Sequence, residues 1–337
     1  MLKTVILCGL MMATVFGGEQ VAAQGRAELL VVNQVDRSLS VVDPAQGKVV
    51  ATVPVGGVTG HEVAVSPDGR TAFVPVYGDS GVGKPGTDGQ MVAIIDVAAH
   101  KVRGTVNFGH GVRPHCPVYD AGRHTLYVTT ELDQSVSVID PRTLKIVGSI
   151  PTGQPQSHML VMSHDGHRGY TANVGPGSVS VLDMEGRRTI AVIPVAGDVQ
   201  RISISKDDRM VFTSDQAQHR LAVIDTATNK VARWIPLPGI GYGAALTKDG
   251  RYLVVALRQS GKLAVVDVQK LSVVRTVDVG RGPVEVLMRP DGRVAYISCS
   301  PDAAVAELAL DGDVSAWRVN RMIKAGAGAD GLAWAGQ

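Results

Sequence analysis

The sequence predicts an all-β protein, a seven-bladed β-propeller built from four-stranded antiparallel blades. Three observations lead there. An Asp-Gly-type hairpin turn recurs at a nearly constant interval, alternating apolar strands flank every turn, and no segment holds a 3.6-residue apolar period over a helix length. The composition agrees, with 39 Gly, 17 Pro and only 4% aromatic residues among 337. Apolar residues are 45% of the chain, enough to bury a core. Lys plus Arg number 33 and Asp plus Glu 31, a net charge of +2. That balance argues against a nucleic-acid partner, which calls for a strong basic excess on one face.

The first element lies outside the fold. Residues 1–23 carry Lys3, an apolar stretch from Val5 to Phe16 and the small residues Val21-Ala22-Ala23. This is the pattern of a secretory signal peptide cleaved after Ala23, which makes the mature protein periplasmic or secreted and leaves residues 24–337 as one propeller domain. No apolar run reaches the roughly 18 residues of a membrane span. With Cys8 removed, Cys116 and Cys299 remain, on strands too far apart in the repeat for a disulfide.

The blades follow in order. Their turns read SPDGR at Ser66, DAGRH at Asp120, SHDGH at Ser163, SKDDR at Ser205, TKDGR at Thr247 and RPDGR at Arg289. After each turn comes a second strand such as TLYVTT, then a third ending at Asp43, Asp96, Asp140, Asp183, Asp225 or Asp267, then a fourth such as KIVGSIPTG. The chain begins in mid-blade with AELLVVNQ and ends with the lone first strand in GADGLAWAG. The last strand therefore completes the first blade, which closes the ring and removes its sheet edges. A closed ring makes a monomer the default.

The second and third strands, TLYVTTELDQSVSVID and RGYTANVGPGSVSVLD, resemble the YVTN repeats of bacterial and archaeal β-propellers. The resemblance covers nearly the whole mature chain and implies the fold. It leaves function open, because related propellers include lactonase-like enzymes, tetrapyrrole-binding proteins and surface proteins. The last full blade departs from the pattern, with Ala309 where the others have Asp.

The recurring Asp-Gly turns and the Asp closing each third strand read as backbone geometry. The opposite rim differs. Aligned on the residue five before each turn, the first strands present His61, His115, His158, Gln200, Tyr242, Val284 and Asp330. Three histidines in successive blades thus face one mouth of the axis. Three neutral imidazoles suit Cu, Zn or Fe and leave a coordination position for water or substrate. His110, Cys116, Glu62, Tyr242 and Asp330 are candidates for further ligands or their supporting partners. Arg113, Arg201 and Arg258 are candidates to orient an anionic group. An insertion, VYGDSGVGKPGTDGQ, separates the second and third strands of one blade on this same face.

The expectation is an exported propeller that binds, and on the metal reading transforms, a small molecule at the axial mouth. Its reaction class would be hydrolase, lyase or oxidoreductase. The alternative is a metal-free propeller that holds a ligand, a tetrapyrrole among the candidates, or docks a protein partner on the same rim. Enzyme status stays open between them.

Overall fold

Each repeat folds because its two middle strands are apolar on both sides. In Glu28–Asn33, Leu30 and Val32 pack against one neighbouring blade while Leu29 and Val31 pack against the other. The period-2 alternation of a strand thus feeds two interfaces at once, giving near-continuous apolar runs. Seven apolar clusters result, one between each pair of adjacent blades. The fourth strands lie outermost and are mostly exposed, with one buried residue near the end, as Ile150 in Lys145–Pro151.

A computed structural model describes residues 27–336. The expected signal peptide over residues 1–23, with Cys8, lies outside the described residues. Seven four-stranded antiparallel sheets make the ring, and no α-helix occurs among the described residues. Numbered from the N-terminus, blade 2 spans 64–107, blade 3 spans 114–151 and blade 4 spans 157–194. Blade 5 spans 199–236, blade 6 spans 241–278 and blade 7 spans 283–324. Blade 1 joins the two ends: Ala329–Ala335 pairs with Glu28–Asn33, followed by Ser38–Asp43 and Lys48–Pro54. Among the described residues no helix is long and apolar enough to cross a membrane.

The repeated turns satisfy themselves. Ser66 Oγ donates to Asp68 Oδ1 at 2.6 Å, and the amide of Thr71 donates to Ser66 Oγ at 3.0 Å. The same arrangement recurs at Ser163, Ser205 and Thr247. The Asp ending each third strand accepts from amides of the turn beyond it, as Asp140 does from Arg142 N and Asp267 from Gln269 N. These bonds stay inside each hairpin, and others such as His164 N to Asp208 Oδ2 and Arg123 Nη1 to Gly166 O tie one blade's turn to the next, so this face is scaffold. Cys116 and Cys299 are buried free thiols.

The innermost strands depart from regular pairing at one place. Their ladders with the second strands shift register between Pro114 and Pro117, Ser157 and Met159, Val199 and Ile202, Gly241 and Ala244, and Pro283 and Val286. Blade 1 has the equivalent shift opposite Ala329 and Leu332. A β-bulge bends the strand and re-aims its side chains. Here it sets one residue per bulged blade at the axis, and Arg201 and Glu285, the residues after it in blades 5 and 7, also reach the axial charge cluster.

Candidate functional site

All seven aligned residues, His61, His115, His158, Gln200, Tyr242, Val284 and Asp330, line one axial cavity of about 250 Å³. Gln34, Tyr77, Arg201, Arg258, Ser300 and the loop residues Gly81 and Val82 complete its wall. The bulges deliver the residues, and hydroxyls of the second strands hold the bulges. Thr129 Oγ1 accepts from Cys116 N at 2.9 Å and donates to His158 O at 2.8 Å, tying blade 3 to blade 4. Thr213 Oγ1 donates to Arg201 O at 2.6 Å.

His115 and His158 are 1% and 2% exposed. Their ring centroids lie 3.5 Å apart with planes inclined by 31°, so the rings lie face to face. His61 sits 5.3 Å from His115, and the Tyr77 ring stands edge-on to both buried imidazoles. Burial pushes His115 and His158 well below the usual imidazole range, and the Arg201 charge presses the same way. His61 is lowered as well, by burial against the opposing pull of Asp330. The cluster is therefore neutral near pH 7. Nδ1 of His115 and Nδ1 of His158 have no hydrogen-bond partner in the protein. His158 Nε2 faces the Gln200 amide at 3.3 Å, and His61 Nδ1 faces the Gln34 amide at 3.0 Å.

One layer below, Glu62, Arg201 and Glu285, each the residue after its blade's aligned position, build a charged plug with Asp330. Arg201 Nη1 donates to Glu62 Oε1 at 2.5 Å and to Glu285 Oε2 at 2.6 Å, while Nη2 donates to Asp330 Oδ1 at 3.2 Å. Gln34 Nε2 donates to the other Asp330 oxygen. Three carboxyls thus share one guanidinium. Burial drives Glu62 well above the ordinary carboxyl range and raises Glu285, with Arg201 opposing in both cases. Gly243 and Gly331 occupy this layer in the blades beside Glu285 and Glu62. A Cβ on Gly243 would lie 2.1 Å from Val284 O, and one on Gly331 would lie 2.5 Å from His61 O. Only glycine permits these neighbours so close.

The insertion, residues 79–87 between the strands Thr71–Gly78 and Asp88–Asp96, covers the blade 2–3 side of the cavity. Arg113 holds it there. Nε donates to Asp88 Oδ1 at 2.6 Å and Nη2 to Lys84 O at 2.7 Å, and the guanidinium lies 5.7 Å from the Tyr77 ring centroid. Glu131 completes the latch, accepting from Gly83 N at 3.2 Å and from the Tyr77 hydroxyl.

The residues expected from sequence therefore divide. His61, His115, His158, Tyr242, Asp330, Arg201 and Arg258 meet at the cavity, with Glu62 directly beneath. Arg113 faces the loop rather than the cavity, and Arg201 is engaged by three carboxyls. His110 is exposed on the rim, its Nε2 2.9 Å from Asp133 Oδ1. Cys116 turns into the apolar cluster between blades 3 and 4, its Sγ 3.6 Å from Leu160 O, and burial pushes the thiol up to about 12. Glu285 went unread in the sequence, although it occupies the same column as Glu62 and Arg201. Tyr77 and Gln34 carry no such register signal, because they come from the second strand and a hairpin loop.

Imidazole ligates a metal through an in-plane nitrogen lone pair. The facing rings of His115 and His158 present their flat sides to each other, which is unfavourable for convergence of those lone pairs on one point. Among the described residues, no group of three His, Cys, Asp or Glu side chains is arranged to hold a metal ion.

Residues 172–291 match the model of a family described as YNCE-like beta-propeller. Over 129 residues the chain is 33% identical to the seven-bladed beta-propeller protein Rv1057 of Mycobacterium tuberculosis. That stretch is 37% of this chain and spans 29% of the relative's length. Among solved structures, hydrazine synthase of Kuenenia stuttgartiensis superposes with a TM-score of 0.71 at 21% identity, over 85% of this chain and 93% of that one. Dihydro-heme d1 dehydrogenase NirN in complex with DHE gives 0.65 at 17% identity, over 91% and 74%. At such identities the likeness is one of fold.

Proposed function

The chain is a seven-bladed propeller of the YVTN-like kind, and on that premise we propose that it is a binding protein for a compact polar molecule, taken up without a metal in the axial cavity. One observation carries this reading: two fully buried, neutral imidazoles line the cavity, each with an Nδ1 that no protein group satisfies. A buried polar atom without a partner costs about 1–3 kcal/mol, so a site that retains two of them is built for a ligand or water to complete. The cavity volume of about 250 Å³ sits below the roughly 300–1,000 Å³ of sites for drug-sized molecules. A tetrapyrrole exceeds that volume and would have to lie across the rim, outside the histidines. The structure of NirN with its DHE ligand keeps that alternative in view by fold analogy alone.

Calorimetric titration with compact polar compounds, comparing the wild type with His115→Ala/His158→Ala, tests the reading. Saturable binding to the wild type that the double variant loses supports it. Unchanged binding by a folded double variant would move the site elsewhere.

A further inference from the structure

The hydrogen-bond inventory of this cavity is lopsided, and the imbalance identifies a ligand class. The carboxyls around the axis are already engaged: Asp330 by Arg201 and Gln34, Glu62 and Glu285 by Arg201, Glu131 by Tyr77 and Gly83. The donors are not. Arg201 Nε is buried without a partner, as is Nδ1 of each of the two stacked imidazoles. Arg258 lines the cavity mouth with its guanidinium 5.0 Å from the Tyr242 ring centroid, and Arg201 lies 5.1 Å from the same ring. Among the described residues Arg258 makes no ion pair and no hydrogen bond, leaving five N–H donors and a full charge uncommitted. Of the three arginines placed near this rim, Arg113 is spent on the loop and Arg201 on the plug.

Resting on the binding-protein reading, we infer that the ligand is a compact oxyanion, a carboxylate or a phosphate, with its charged end on Arg258 and its remaining acceptors toward the imidazoles that line the cavity. A cation–π contact with Tyr242 places the Arg258 guanidinium at the mouth. That geometry suits two-point contact with an oxyanion better than an ammonium would.

The test is titration calorimetry of the full mature chain with acetate, glycolate, succinate and inorganic phosphate, beside the uncharged acetamide and glycolamide. Arg258→Ala and Arg258→Lys are compared with the wild type. Because Arg258 is exposed, both variants should fold with an unchanged melting temperature. The expected result is that at least one oxyanion binds, and that Arg258→Ala weakens it by about tenfold or more, the effect of losing one charge-assisted contact. Arg258→Lys should recover part of that loss, and for a carboxylate the matching amide should bind at least about tenfold more weakly. A response confined to phosphate or to the carboxylates tells the two sources apart. Amides binding as tightly as the carboxylates, or an Arg258→Ala protein binding oxyanions like the wild type, overturns the inference but leaves the cavity reading standing if His115→Ala/His158→Ala abolishes that binding. Absence of any oxyanion binding also overturns it, and if no amide binds either, the binding-protein reading falls with it.

Discussion

His115 and His158, from adjacent blades, stack with ring centroids 3.5 Å apart inside the axial cavity. Two imidazolium ions could not occupy that arrangement without strong repulsion, so the stack requires at least one neutral ring, and burial keeps both neutral near pH 7. The pair is thus a hydrogen-bonding surface whose nitrogens switch between donor and acceptor by tautomer, without change of charge. That is useful for reading a polar ligand and unhelpful for fixing an ion.

Elemental analysis separates the two uses. Protein from cells supplied with copper, zinc and iron should contain far less than one metal per chain. About one per chain, lost in His61→Ala/His115→Ala, would overturn the metal-free reading.

The imidazoles also set an acid limb to stability. Groups held below their ordinary pKa of about 6.5 leave the unfolded chain binding more protons, so stability falls as pH drops below that value. Each imidazole contributes a slope of up to about 1.4 kcal/mol per pH unit. Glu62 and Glu285, raised in the fold, act in the opposite sense, their contribution being lost as pH rises. The difference between the wild type and His115→Gln/His158→Gln isolates the imidazoles. Chemical denaturation from pH 7 to pH 5 should show a markedly shallower decline in the variant.

The plug makes a contrasting pair of predictions. Arg201→Met leaves the buried Glu62 and Asp330 and the half-buried Glu285 without their cation and should cost about 3–5 kcal/mol. Glu62→Gln removes one negative charge but keeps an acceptor, so its cost should stay below about 1 kcal/mol. Equal stability of Arg201→Met and wild type, measured by denaturant unfolding, would mean that the carboxyls are already neutral in the fold.

The insertion should loosen when its latch is cut. In Arg113→Ala, amides of residues 80–87 should exchange hydrogen about tenfold faster or more, while the strands of blades 5 and 6 keep their protection. Unchanged exchange in the loop would show that Glu131 and the loop's own turns suffice to hold it.

The ring was legible in the sequence because its period is carried by local chemistry. The self-contained Ser66–Asp68 turn recurs in four blades and needs only neighbours a few residues away, and the two-sided apolar strands show as short runs of apolar sequence around the ring. The aligned column from His61 to Asp330 was legible for the same reason, since one register places all seven at the axis. What the column does there was less so. Strict alternation sends His115 and Cys116 to opposite faces, and they do part: His115 lines the cavity while Cys116 packs between blades 3 and 4. The stacking of two rings, the plug around Arg201 and the diversion of Arg113 to the loop all depend on distances between blades. Those distances are set by ring closure, which no local pattern encodes.

Ring closure also orders the protein's assembly in time. Asp330, one of the three acidic partners of Arg201, lies on the final strand, with Gly331 packed against His61. That strand follows every other described strand along the chain, so a chain that ends short of it has no finished cavity. The site comes into being only when the C-terminus docks beside Glu28–Asn33. A chain lacking Ala329–Ala335 would keep six complete blades and the three histidines, but not Asp330 or the closed axial wall.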